Sequence, residues 1–112
     1  MAAGNYDIVI DQGADFSIEL VIAQNGDAVN LASHTASAQL RPTPTSSTLT
    51  ATFTCQVTNA AAGKLTMNLG YALTRNIASG KYYYDLELFN SSANSITRLI
   101  QGVARVTAEV TR

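Results

Sequence analysis

Gly80-Lys81-Tyr82-Tyr83-Tyr84-Asp85-Leu86-Glu87-Leu88-Phe89 is the stretch on which the fold turns. Past its glycine it alternates large apolar with polar side chains, Tyr82, Tyr84, Leu86 and Leu88 on one parity and Tyr83, Asp85 and Glu87 on the other. Successive strand residues point to opposite faces, so this period of two predicts a β-strand with one face in a core. Three of the five tyrosines lie here. The strand therefore concentrates bulky material for a core or a contact surface.

The same period recurs along the chain. Tyr6, Ile8 and Ile10 alternate with Asp7, Val9 and Asp11 up to Gln12-Gly13, and Phe16, Ile18, Leu20 and Ile22 alternate with Ser17, Glu19 and Val21. Asn25-Gly26-Asp27 supplies the positive φ of a tight hairpin turn, with Val29 to Leu31 as a short return strand. Ala36, Ala38 and Leu40 continue the pattern until Pro42 and Pro44, which lack backbone N–H groups, end the pairing. The Ser/Thr stretch from Thr45 to Thr48 reads as a surface loop. Leu49, Ala51, Phe53, Cys55 and Val57 predict the next strand, Asn59 to Gly63 a turn, and Leu65, Met67 and Leu69 another strand. Tyr71 to Ser79 breaks the period: Leu73 and Ile77 fit helical spacing, with Gly80 just past the helix end. Asn90 to Asn94 is a further turn, and Ile96 to Val110 closes the chain as one long strand bent near Gly102. Seven or eight short strands, frequent turn signals and no long helix predict an all-β sandwich with one short helical turn, a small closed barrel being the competing arrangement.

A chain of 112 residues is expected to form one domain, residues 1–112, around one core. Charged residues are only 13% of it, and the formal net charge is −1, with Arg41, Arg75, Arg98, Arg105 and Arg112 scattered in the sequence. Nucleic-acid binding would need clustered cations, so none is expected. A near-neutral surface favours association, so an oligomer or assembly component is expected over a freely diffusing monomer. No stretch approaches the length of a membrane span, and the start lacks the basic and apolar regions of a signal peptide, so assembly in a cytoplasm is expected.

Candidate chemistry is sparse. His34 is the sole histidine and reads as an exposed loop residue, since abundant serines make any triad match uninformative. Cys55, the sole cysteine, alternates with Phe53 and Val57 and reads as a small buried hydrophobe. Asp11-Gln12-Gly13-Ala14-Asp15 lacks the further acidic ligands of a calcium loop, so Asp11 or Asp15 is expected to bond turn N–H groups instead. Asn90-Ser91-Ser92 matches a glycosylation sequon but stands without a secretion signal. No catalytic, metal or cofactor site is expected. The tyrosines carry the one open question. Tyr82 and Tyr84 are expected in the core, or pinning the preceding loop through a hydroxyl as in a tyrosine corner. Tyr83 and Tyr71 form the candidate contact surface.

The order of these motifs is similar to a known group. Gln12 to Phe16 opens a hydrophobic strand, and Gly26 to Leu31 follows with its Asn-Leu step. Gly63-Lys64-Leu65-Thr66-Met67-Asn68-Leu69, Leu73-Thr74 to Gly80, Tyr82, Tyr84-Asp85-Leu86 and Arg98 to Thr107 come next, with Glu109 to Arg112 at the end. In that order the chain resembles the immunoglobulin-like structural domains of tailed bacteriophages, including the N-terminal domains of baseplate and tail proteins. The resemblance implies an immunoglobulin-like antiparallel β-sandwich and a non-enzymatic virion component of a tail, baseplate or neck, with other virion proteins as partners. Members often carry fibre or receptor-binding segments after the domain, whereas this sequence ends at Arg112, so an adaptor, decoration or assembly role is expected over receptor binding. A carbohydrate- or receptor-binding module is the alternative, using exposed tyrosines beside Asn and Asp. Because the strand from Thr48 to Val57 carries no charge, it, or the one from Ile96, is expected to be an edge covered by another subunit.

Overall fold

The computed structural model describes residues 4–24 and 26–110. Its strands are β1 (Gly4–Asn5), β2 (Ile8–Asp11), β3 (Phe16–Val21), β4 (Ala23–Gln24), β5 (Asp27–Ala28), β6 (His34–Arg41), β7 (Ala51–Asn59), β8 (Lys64–Leu69), β9 (Gly80–Asn90) and β10 (Ser95–Thr107). One short helix, α1 (Tyr71–Thr74), links β8 to β9. No helix among the described residues is long and apolar enough to cross a membrane.

The fold is an all-β, immunoglobulin-like sandwich. Its hydrogen-bonded path runs β1-β10-β9-β6-β7-β8-β3, with β2 also on β10, and β4 and β5 form a separate small hairpin. Pairing is antiparallel except that β1 and β2 run parallel to β10. The two layers are joined by β7. Its first residues pair with β6, Phe53 opposite Ala38, and its later residues pair with β8, Cys55 opposite Met67.

Alternation fills the space between the layers. Ile8 and Ile10, Ala38 and Leu40, Leu65, Met67 and Leu69, Tyr84, Leu86 and Leu88, and Ala104 and Val106 form one buried cluster. Phe53 stands at its centre, with its ring 6.0 Å from that of Phe16 and 6.1 Å from that of Tyr84, both edge-on, a geometry that aromatic quadrupoles favour.

Several local expectations need correction. Among the described residues, β10 has β1 and β2 on its far side from Ile100 onward and is an edge only before that, whereas β7 has one strand partner at each position, β6 along Ala51 to Phe53 and β8 along Thr54 to Asn59, and so borders both layers. The first strand is broken at Tyr6 and Asp7, and Tyr6 is exposed. The Asn25 part of the hairpin turn lies outside the described residues, while Gly26 has the positive φ expected of it, 84°. The return strand is Asp27–Ala28, and Val29 to Leu31 is not a strand, although Leu31 is buried. The helix stops at Thr74, short of Gly80, so Ile77 is buried while Leu73 faces outward. The irregularity in β10 falls between Arg98 and Ile100 instead of at Gly102.

Candidate functional site

The outer face of the β6-β9-β10-β2 layer is built by register. Directly opposed residues share a face in an antiparallel pair. Thr35, Phe89 and Ile96 therefore make one row, Ser37, Glu87 and Arg98 the next, then Gln39, Asp85 and Gln101, and then Arg41, Tyr83 and Val103. Lys81, Arg105 and Val9 continue it on β9, β10 and β2. A groove of about 700 Å³ runs across the middle rows.

Its polar side chains are held by one another. Arg98 Nε lies 3.3 Å from Asp85 Oδ2, and Arg98 Nη1 donates to Gln101 Oε1 at 3.3 Å. Arg41 donates through Nη2 to Gln39 Oε1 at 2.9 Å and through Nη1 to the Ser46 carbonyl at 3.3 Å. The Lys81 ammonium sits 5.4 Å from the centroid of Tyr83, within range of a cation–π contact. Tyr83 is half-buried on the face shared with Asp85 and Glu87, as its parity predicts.

One end of the groove is fixed by the crossing of the chain's beginning over β10. Tyr6 N donates to the Gln101 carbonyl at 3.0 Å, and Val103 N donates to Asp7 Oδ1 at 3.0 Å. The Tyr84 hydroxyl, from the core side, donates to the Tyr6 carbonyl. A Cβ at position 102 would run into that same carbonyl, so glycine is what lets the two segments meet. Burial first, then the neighbouring Tyr6 and Asp7, push the Tyr84 phenol well above its usual range. It stays protonated, and so a donor, at all ordinary pH values.

The remaining candidates have structural roles. Tyr71 lies on α1, half exposed, with the Arg75 guanidinium 5.1 Å from its ring centroid. It is not among the groove residues, so Tyr71 and Tyr83 do not share the groove. Tyr82 donates to the Ala78 carbonyl at 2.7 Å, the loop-pinning bond of a tyrosine corner. His34 opens β6 half-buried, its Nδ1 2.9 Å from the Ala32 carbonyl, and so is not a loop residue. Asp15 Oδ1 accepts the Tyr71 N–H at 2.8 Å, and Asp11 Oδ1 accepts the Thr107 hydroxyl at 2.9 Å. Asn90 Oδ1 accepts the N–H groups of Ser92 and Ala93 at 3.0 and 3.3 Å, ordering the β9–β10 turn. Cys55 is half-buried, and burial pushes its thiol up to about 11, which makes it a poor nucleophile near neutrality.

Arg41 and Arg98 are the groove residues that sequence reading missed. They look scattered along the chain, and only strand register brings them to one face. For Arg41 the available signal was its shared parity with Gln39. Arg98 and Gln101 differ in parity, and only the irregularity between Arg98 and Ile100 puts them on the same face.

No known protein family matches this chain, and no curated protein does. Among solved structures it is similar to a family 123 glycoside hydrolase from Clostridium perfringens, at 15% identity and a TM-score of 0.48, over 97% of this chain and 24% of that one. It is also similar to InlP of Listeria monocytogenes, at 14% identity and a TM-score of 0.44, over 96% of this chain and 28% of that one. The chain thus spans about a quarter of the length of each.

Proposed function

We propose that this chain is a non-enzymatic structural domain of a tailed-bacteriophage virion, a tail, baseplate or neck component assembled in the host cytoplasm and acting through protein–protein contacts. The resemblance in motif order along nearly the whole sequence supports the virion reading. The observation that carries the contact reading is the outer face of β6, β9 and β10. There Tyr83 lies in a groove with Arg41 and with the Arg98–Asp85 pair, while Phe89 and Ile96 stand exposed at one end of the same face. Aromatic residues and arginine are the types enriched where proteins meet. Peptide mass spectrometry of gradient-purified particles released by the source organism tests the first part: the chain should co-sediment with tail proteins. Recovery only in the soluble fraction would overturn it.

A second reading, a carbohydrate-binding module, is favoured by one feature of the same groove. Tyr83 lies there beside Asn5, Asp7, Gln39 and Gln101, which offer hydrogen-bonding groups next to an aromatic ring. A glycan array decides between them. Reproducible binding lost in Tyr83→Ala favours the module, and an array without signal favours the protein-contact reading.

A further inference from the structure

β3 is a free end of the hydrogen-bonded path. It pairs with β8 along its whole length, and no strand lies on its other side among the described residues. Open edges are normally blunted by lysine, proline, bulges or an inward charge. Phe16-Ser17-Ile18-Glu19-Leu20-Val21 has none of these, and Glu19 is its one charge. The apolar side chains tell the same story. On β8, Leu65, Met67 and Leu69 are fully buried, whereas their direct partners Leu20, Ile18 and Phe16 are only half-buried, which leaves the core rim unfinished along this edge. The opposite end of the path differs: Asp7 precedes β2 and Asp11 ends it, with their carboxylates bonded to β10.

We propose that β3 is a self-association edge, at which two copies join their β3 strands antiparallel about a two-fold axis through Ile18. The register follows from charge and parity. Same-face pairing requires residues of the same parity to oppose each other. With Ile18 opposite its own copy, Phe16 meets Leu20 on the core side, and Ser17 meets Glu19 on the solvent side. A two-residue shift one way sets Glu19 against Glu19 and, the other way, Asp15 against Glu19. Both place like charges together. The larger shift that centres Leu20 uses only the last residues of the strand before the break at Ile22. The Ile18-centred register is thus the longest that sets no like charges directly opposite, with Glu19 only diagonal to Glu19 and Asp15 of the other copy. It forms an isologous interface, as closed dimers require. The inference is independent of the virion reading, because it rests on the edge alone.

Sedimentation velocity on the full chain under reducing conditions, from low micromolar to the highest soluble concentration, should show a monomer–dimer equilibrium. Ser17→Glu sets a new carboxylate against Glu19 twice by symmetry and should weaken the dimer roughly tenfold. Ser17→Lys, which loses the same hydrogen bond to Asn68, should strengthen it by a similar factor. Ser17→Glu combined with Glu19→Lys should restore dimerisation. Thr52→Glu, an equal change of charge at an exposed position of β7, should leave it unchanged. A wild type that stays monomeric throughout, or Ser17→Glu and Ser17→Lys shifting the equilibrium in the same direction, would overturn the proposal.

Discussion

The hydroxyl of Tyr82 donates to the carbonyl of Ala78 at 2.7 Å, four residues back along the chain. This bond fastens the start of β9 to the connection that feeds it. The ring meanwhile packs half-buried against the core. Tyr82→Phe keeps the packing and removes the bond, so the expected loss is about 1 kcal/mol. In urea titrations the midpoint should fall with an unchanged slope. An unchanged midpoint would mean that solvent replaces the bond at no cost.

Gly102 and Tyr84 meet at one atom, the Tyr6 carbonyl, and their substitutions should differ in kind. Gly102→Ala forces a methyl group onto backbone and should cost roughly 1–3 kcal/mol, with loosened pairing of β1 and β2 to β10. Hydrogen exchange would show it as faster exchange at Val103 and Tyr6. Tyr84→Phe leaves the geometry intact but the carbonyl without its donor, costing about 1–3 kcal/mol without that local opening.

Phe53 is the residue at which β7 passes from one layer to the other. Its ring touches Phe16 of one layer and Tyr84 of the other. Phe53→Ala should cost roughly 3–5 kcal/mol, a large share of the stability of a domain this size. Phe53→Leu should cost less than half as much. Calorimetric melting temperatures order the three proteins.

Thr74, fully buried on α1, ties the first turn to the helix: its Oγ1 accepts the Gly13 N–H at 3.1 Å and donates to the Ala14 carbonyl at 2.8 Å. Thr74→Val keeps the shape and leaves both groups unpaired, so a loss of about 2 kcal/mol is expected, while Thr74→Ser should retain most of the stability. A stable Thr74→Val with a weakened Thr74→Ser would assign the role to packing of the methyl group instead.

Cys55 links stability to alkaline pH. Its thiol is raised from 9.0 to about 11 in the folded chain. A folded value above the unfolded one contributes stability that is complete below the unfolded value and is lost as pH rises between the two. The stability difference between wild type and Cys55→Ala should therefore be constant below pH 9 and shrink towards pH 11. Urea midpoints for both proteins across that range measure it, and a difference that grew with pH would reverse the assignment.

Much of the fold was written in local pattern. The period of two placed β3, β8 and β9 closely and assigned Tyr83 to the face opposite Tyr82 and Tyr84, because strand parity is a property of the backbone alone. Tyr82 as a loop pin was legible for the same reason. The edges were not. A charge-free strand such as β7 reads as an edge, but that it borders both layers, handing over from β6 to β8 after Phe53, was not legible, since pairing partners are chosen by distant segments. Leu73 carried a helical spacing that its single turn does not use. Arg41 and Arg98 were invisible as a pair until β6, β9 and β10 were aligned.

The sequence by itself determined which residues lie on which face of each regular strand, because alternation follows from the pleat without reference to any neighbour. The tertiary structure decided which strands sit side by side. It thereby set the rows that bring Arg41, Tyr83, Asp85 and Arg98 into one groove, and the open edge left along β3. Register and strand order depend on how layers bury apolar area together, and that burial is a property of the whole chain.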